Sequence, residues 1–172
     1  MRRLKTKLIC SRWTLALVVL AALAGGGCAA RAKNVTNLPA GVTLTQVQNW
    51  DAAVANLQKI AATTTTLRQA VIALNKTGAF PDGPAYVATL DGIGKVDQLQ
   101  IEAANFLQGV PNDWSLPTQT KVQAYIQQIQ ATLTDITSNG IVGIKDPASQ
   151  SQVNTLIANI GSIAAIIISL TV

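Results

Sequence analysis

The stretch Val122–Ile136, VQAYIQQIQATLTDI, decides the fold class of this chain. Its large aliphatic residues follow one another at steps of four, three, four and three, at Val122, Ile126, Ile129, Leu133 and Ile136. This spacing places them on one face of an α-helix, while glutamine and threonine occupy the other face. The stretch therefore predicts an amphipathic helix that buries one side, and we place that helix at residues 117–138.

Three further segments of the chain show the same helical rhythm. Their apolar residues also recur every three or four positions, which predicts helices over residues 43–77, 83–108 and 147–172. Connections of roughly five to eight residues between amphipathic helices favour antiparallel neighbours. We therefore expect residues 43–172 to form an all-α domain, an up-down-up-down four-helix bundle that buries all four apolar stripes.

Capping signals mark the ends of these helices. Thr43 and Gln46 match a capping box, and Gly78 follows the last apolar position of the first helix. Asn139-Gly140 is the expected stop of the third helix. Asp82 and Asp146 are the expected N-caps of the second and last helices, each with a proline close behind it.

Four consecutive threonines, Thr63–Thr66, interrupt the first helical segment. Because β-branched residues lower helix propensity, we expect a kink or a break at this point.

Three aromatic side chains bear on the core. Trp50 and Tyr86 lie on apolar stripes, which is typical of core residues rather than of ligand platforms. Trp114 lies in a loop, where it would either cover the core or anchor the protein at a membrane interface, and we favour the cover.

Charge and composition exclude several functions. The chain has 13 Lys+Arg, 8 Asp+Glu and no His, but five of the basic residues precede residue 28, so the rest is neutral overall. A nucleic-acid binder needs a basic face. The common zinc sites need histidine or several cysteines, catalytic triads need histidine, and the chain after residue 27 has no His and one Cys. No two carboxylates after residue 27 are three or four apart, the spacing that would put a pair on one helix face. We therefore expect a protein that is not an enzyme and that binds no metal, cofactor or nucleic acid.

The first 27 residues are typical of an export signal. A basic segment precedes an apolar run of about ten residues, Leu15–Ala24, which is too short for a permanent membrane span. The run ends in Gly25-Gly26-Gly27-Cys28, and a cysteine behind a small residue resembles the end of a bacterial lipoprotein signal. The family usually has leucine at the position of Gly25. The resemblance covers residues 1–28 alone and implies that the Cys28 sulfur carries a lipid.

On this interpretation residues 28–42 form a tether, rich in small residues and without apolar periodicity. The protein would lie in the cell envelope, held to the membrane by lipid on Cys28, with another envelope protein as its expected partner. In a Gram-negative host it would sit on the outer membrane facing the periplasm, and otherwise on the extracytoplasmic membrane surface. The alternative is ordinary cleavage near residue 24 or 30, which would release a secreted protein without lipid.

The last helical segment raises a third possibility. Residues 147–172 carry no charged side chain. If this segment crossed a membrane, a chain with a lipidated N-terminus and a C-terminal membrane span would resemble the single-chain spanins of some bacteriophages in architecture. However, Asn154, Thr155, Ser162 and Ser169 fall together on one side of this segment. That distribution is typical of a bundle helix with one solvent-exposed face, which is the interpretation we favour.

Four apolar residues in loops form the candidate binding site: Phe80, Ile141, Val142 and Ile144. The up-down topology brings their two loops to the same end of the bundle, far from the tether. An exposed apolar cluster there would mark a protein contact. The competing interpretation is that these side chains turn inward and close the end of the core.

Overall fold

The computed structural model describes Leu38 and residues 41–172, and all regular structure within them is helical. Four α-helices are present in this part of the chain: α1 (Leu44–Lys76), α2 (Pro84–Gly109), α3 (Leu116–Asp135) and α4 (Pro147–Ser169). Helix α1 packs against α2 and α4, and α3 packs against the same two helices. This arrangement confirms the predicted four-helix bundle.

The bundle has two ends, the tether end and the distal end. The tether end contains the first turns of α1 and α3, the α2–α3 loop and the last turn of α4. The distal end contains the α1–α2 loop, residues 77–83, and the α3–α4 connection, residues 136–146.

The capping box predicted at the start of α1 is present. The Gln46 N–H donates to Thr43 Oγ1 at 3.2 Å, and the Thr43 N–H donates to Gln46 Oε1 at 2.8 Å. At the other end of α1, Gly78 has a φ of +74°, the left-handed conformation that glycine adopts without strain. Both ends of the first helix therefore follow from local sequence.

Helix α1 runs through the four threonines without the break that their propensity suggested. Each hydroxyl donates to the backbone carbonyl four residues earlier, at distances of 2.8–3.1 Å. These bonds satisfy the hydroxyl of Thr64, which is fully buried beside the core. Packing along the rest of the helix outweighs the low helix propensity of the four threonines.

The predicted N-cap of α2 is wrong by one residue. Gly83 occupies the cap and makes no side-chain bond there, while Pro84 begins the helix as expected. The Asp82 carboxylate instead accepts a hydrogen bond from Asn75 Nδ2 at 2.8 Å. Asp146 does cap α4 as predicted, since its Oδ2 accepts from the Ser149 N–H at 2.9 Å.

Helix α3 ends earlier than predicted and continues as a π-helical turn, Ile136–Gly140, followed by a 3₁₀ turn, Ile141–Gly143. Glycine allows this segment to lie close to α2. A Cβ added at Gly140 would lie 2.4 Å from Thr89 Oγ1, and one added at Gly92 would lie 2.5 Å from Ile136 Cγ1. Gly140 has a negative φ, so its role is this close approach rather than the helix stop that its position predicted.

Two glycines of α2 should respond in opposite ways to the same substitution. Gly92→Ala forces a methyl group into the buried Ile136 side chain, an overpacking that costs about 1–3 kcal/mol and exceeds the gain in helix propensity. Gly94→Ala meets nothing within 4 Å and should stabilise the helix by about 0.5–1 kcal/mol. Thermal unfolding followed by circular dichroism measures both shifts. Equal shifts in the two variants would contradict the close packing of α2 against the π-helical turn.

Candidate functional site

The distal end brings together the two loops that the topology predicted to meet. The Lys145 N–H in the α3–α4 connection donates to the Ala79 carbonyl of the α1–α2 loop at 2.9 Å. At the end of α1, Asn75 Nδ2 donates to the Phe80 carbonyl of the α1–α2 loop at 3.0 Å. These bonds fix the path of both loops, and with it the direction of their side chains.

The four candidate binding residues do not form one exposed cluster. Phe80, Ile141 and Ile144 are buried and belong to the core, and Val142 points outward with 62% of its surface exposed. Phe80 stacks edge-on against Tyr86, with ring centroids 5.4 Å apart. Three of the four residues therefore close the end of the core, which corrects the hypothesis of an apolar contact surface made by all of them.

The π-helical turn explains the inward direction of Ile141 and Ile144. The Ile141 N–H donates to the Ile136 carbonyl, a five-residue step that inserts one residue relative to an α-helix. Ile136, Ile141 and Ile144 therefore stay on the buried side, although they are five and three residues apart. A step of five followed by a step of three in the apolar pattern is the sequence signal that would have revealed it.

The tether end is closed by Trp114. Its side chain is buried, and its indole N–H donates to the Leu170 carbonyl at the end of α4, at 2.9 Å. This confirms that the tryptophan covers the core. Trp50 and Tyr86 pack against the core only partly buried, and the Trp50 indole N–H is buried without an acceptor among the described residues.

Asp113 orders the turn that precedes α3. Its Oδ1 accepts from the Ser115 N–H and its Oδ2 from the Thr118 hydroxyl, each at 2.8 Å. The Ser115 backbone bond, helped by the Ser115 and Thr118 side chains, lowers the pKa of Asp113 below its ordinary value. Both carboxylate oxygens therefore accept hydrogen bonds within the protein, and the role of Asp113 is to stabilise this turn.

A shallow open cleft lies beside this turn on the outer face of α3. Its mostly apolar walls come from Leu116, Pro117, Thr120, Lys121 and Ala124. Leu116 is 73% exposed, and the Lys121 ammonium lies 5.2 Å from the centroid of the Tyr125 ring. The lining carries one cation and no carboxylate, a composition suited to apolar or interfacial contact rather than to acid–base chemistry.

Two carboxylates of α2 make contacts within the fold. Asp97 of α2 pairs with Arg68 of α1, a contact between helices that the sequence pattern did not reveal. Glu102 accepts from Gln98 at 2.9 Å on the surface of α2. Within the part of the chain that the structure describes, no three His, Cys, Asp or Glu side chains come together in a way that could hold a metal ion.

Helix α4 is long and apolar enough to cross a membrane by length and composition, which is weak evidence on its own. Six of its apolar residues are buried in the bundle. Its polar side chains Asn154, Thr155, Ser162 and Ser169 are exposed, and Asn159 lies at the boundary. This distribution is the one expected for a bundle helix with one wet face.

Cys28, the export signal and most of the tether lie outside the described residues, so their predictions rest on sequence. The chain matches no protein family model, no curated protein and no solved structure.

Proposed function

We propose that this protein is a bacterial cell-envelope lipoprotein whose helical bundle acts by binding or scaffolding rather than by catalysis. One observation carries the proposal: Cys28 stands behind a small residue, directly after a basic segment and a ten-residue apolar run. In the lipoprotein family that this leader resembles, such a cysteine receives a diacylglycerol before the leader is removed. The bundle would then begin some fifteen residues from the membrane.

The composition of the chain after the leader supports a non-catalytic role. Residues 28–172 have no His and one Cys, and their carboxylates show no helical pairing. Their polar surface is rich in Gln, Asn, Thr and Ser, with 46 such residues against 16 charged ones. Such a surface generates weak long-range fields, which suits short-range contact with a partner in the envelope.

Cys28 also determines the proposed location. Ala29 follows it, where an aspartate would resemble a signal for retention in the inner membrane. We therefore place the protein on the outer membrane facing the periplasm in a Gram-negative host, and on the extracytoplasmic membrane surface in other bacteria.

The anchor is tested by Cys28→Ser in the full-length chain, expressed in a bacterial host. The wild type should sediment with membranes, and mass spectrometry should find a mature N-terminus at Cys28 that carries two or three acyl chains. Cys28→Ser should leave the membrane fraction or remain unprocessed. The matched control is Cys10→Ser, which changes a cysteine that is removed with the leader and should not alter anchoring.

Other outcomes would identify the alternative functions. A soluble wild-type chain that begins near Gly25 or Arg31 without lipid would show a secreted protein. A correctly cleaved Cys28→Ser chain that resists alkaline extraction from membranes would instead indicate a second anchor in α4, as in the spanin-like alternative.

A further inference from the structure

The tether end of the bundle carries apolar side chains that the fold leaves uncovered. Leu44 begins α1 and is 45% exposed, and Leu116 begins α3 and is 73% exposed. They lie at opposite corners of this end, because α1 and α3 pack against the same two helices rather than mainly against each other. Since the buried Trp114 side chain already closes the core at this end, neither leucine is needed to seal the bundle.

The cleft on α3 extends this apolar surface. It begins at Leu116 and Pro117 and continues past Thr120 to Ala124, with Lys121 on its wall. A long lysine side chain can lie along apolar surface while its ammonium reaches an anionic group beyond it. Asp113, a carboxylate at this end, stays ionised, but both of its oxygens accept hydrogen bonds from Ser115 and Thr118. The surface therefore combines exposed leucine with a cation, as membrane-surface segments do.

The short stretch of chain between Cys28 and α1 determines which end of the bundle would meet the membrane. Residues 29–43 join Cys28 to Leu44 and span at most about 55 Å when fully extended. The distal end is further away by the length of α1, which is about 50 Å for its 33 residues. A lipid on Cys28 would therefore bring the tether end to the bilayer more readily than the distal end, which reaches it only when the tether is extended along the whole bundle.

We infer that the tether end docks on the lipid bilayer, with Leu44 and Leu116 in the interfacial region and Lys121 beside anionic headgroups. This inference rests on the proposed lipid anchor at Cys28. It adds that the bundle is held in one orientation, with the distal end and Val142 directed away from the membrane.

The test uses the full-length chain carrying Leu116→Cys, purified from membranes and returned to vesicles of phosphatidylcholine and phosphatidylglycerol. In the mature lipoprotein the Cys28 sulfur carries lipid and Cys10 has been removed, so the new cysteine is free to react with a fluorescent probe that is sensitive to polarity. Val142→Cys is the matched control, because Val142 is 62% exposed at the opposite end. We expect a blue shift and quenching by nitroxide-labelled acyl chains at position 116 and neither effect at position 142.

A second measurement examines the cation. Adding Lys121→Gln to Leu116→Cys should reduce the difference in quenching between vesicles with and without phosphatidylglycerol.

Docking is rejected, with the anchor intact, if the probe at position 116 emits as it does in water while the protein remains in the vesicles. It is also rejected if both positions are quenched equally, which indicates a bundle lying on its side, or if position 116 shifts without quenching, which indicates a protein contact. A chain that does not enter the membrane fraction rejects the lipid anchor and this inference with it.

Discussion

Replacing Ile129 with aspartate should unfold the bundle. Ile129 lies in the middle of α3 with no exposed surface and belongs to the central hydrophobic cluster. An aspartate there loses the packing of a large aliphatic side chain and places a carboxylate among apolar groups, with no cation in the cluster to pair with it. The combined cost exceeds about 4 kcal/mol, which is comparable with the total stability of many domains.

The measurement uses residues 43–172, which contain the whole described core. This fragment should be soluble, mainly helical and monomeric or weakly dimeric, with a cooperative thermal transition in circular dichroism. Ile129→Asp should abolish the transition or lower its midpoint by more than about 10 °C. Ile101→Asp is the matched control, because Ile101 lies in the middle of α2 with 53% of its surface exposed. The control should lose less than about 1 kcal/mol, and an unchanged transition in Ile129→Asp would contradict the bundle core.

The bundle could be predicted from the sequence because the residues that determine its helices lie close together along the chain and recur at helical spacing. The apolar stripe from Val122 to Ile136 and the capping residues Thr43 and Asp146 act within one or two turns of the chain. Wherever a cap or a stripe decides the structure, the predicted helix lies within a few residues of the observed one. The fold class follows, since four such stripes bury one another most simply as a bundle.

The errors arise where tertiary contacts compete with local preference. Asp82 was expected to cap α2, but Asn75 at the end of α1 engages its carboxylate instead. Gly140 looked like a helix stop, but it serves a close approach to Thr89 on another helix. No spacing along the chain encodes these partners, because they come from separate elements that meet only in the folded bundle.

The candidate site was likewise predictable only in part. Topology correctly predicted that the two distal loops meet, and the Lys145–Ala79 bond confirms it. The direction of the side chains was not predictable from helix spacing, because one inserted residue in the π-helical turn changes which positions face inward. Val142 points outward and Ile141 inward as a result.

Changing Phe80 to serine should lower stability strongly, while changing Val142 to serine should not. The Phe80 ring is fully buried, lies edge-on to Tyr86, and is approached closely by Gly143 of the 3₁₀ turn. Its removal leaves a large cavity at the distal end, and truncation of a buried aromatic ring costs about 3–5 kcal/mol. The new hydroxyl adds to this cost unless it finds a hydrogen-bond partner. Val142→Ser changes an exposed side chain and should shift stability by less than about 0.5 kcal/mol.

Thermal unfolding of the two single variants in residues 43–172 separates the two roles that the sequence left open for this end of the bundle. A fall of about 10 °C or more in Phe80→Ser, with no comparable change in Val142→Ser, is the expected result for a residue that closes the core beside one that faces solvent. The circular dichroism spectrum of Phe80→Ser at low temperature should stay helical, because the cavity is confined to the distal end and the remaining stripes of α1 to α4 still pack. If Phe80→Ser melted at the wild-type temperature, the ring could not be part of the core, and an exposed apolar contact made by Phe80 with Ile141, Val142 and Ile144 would again be the better account of this end.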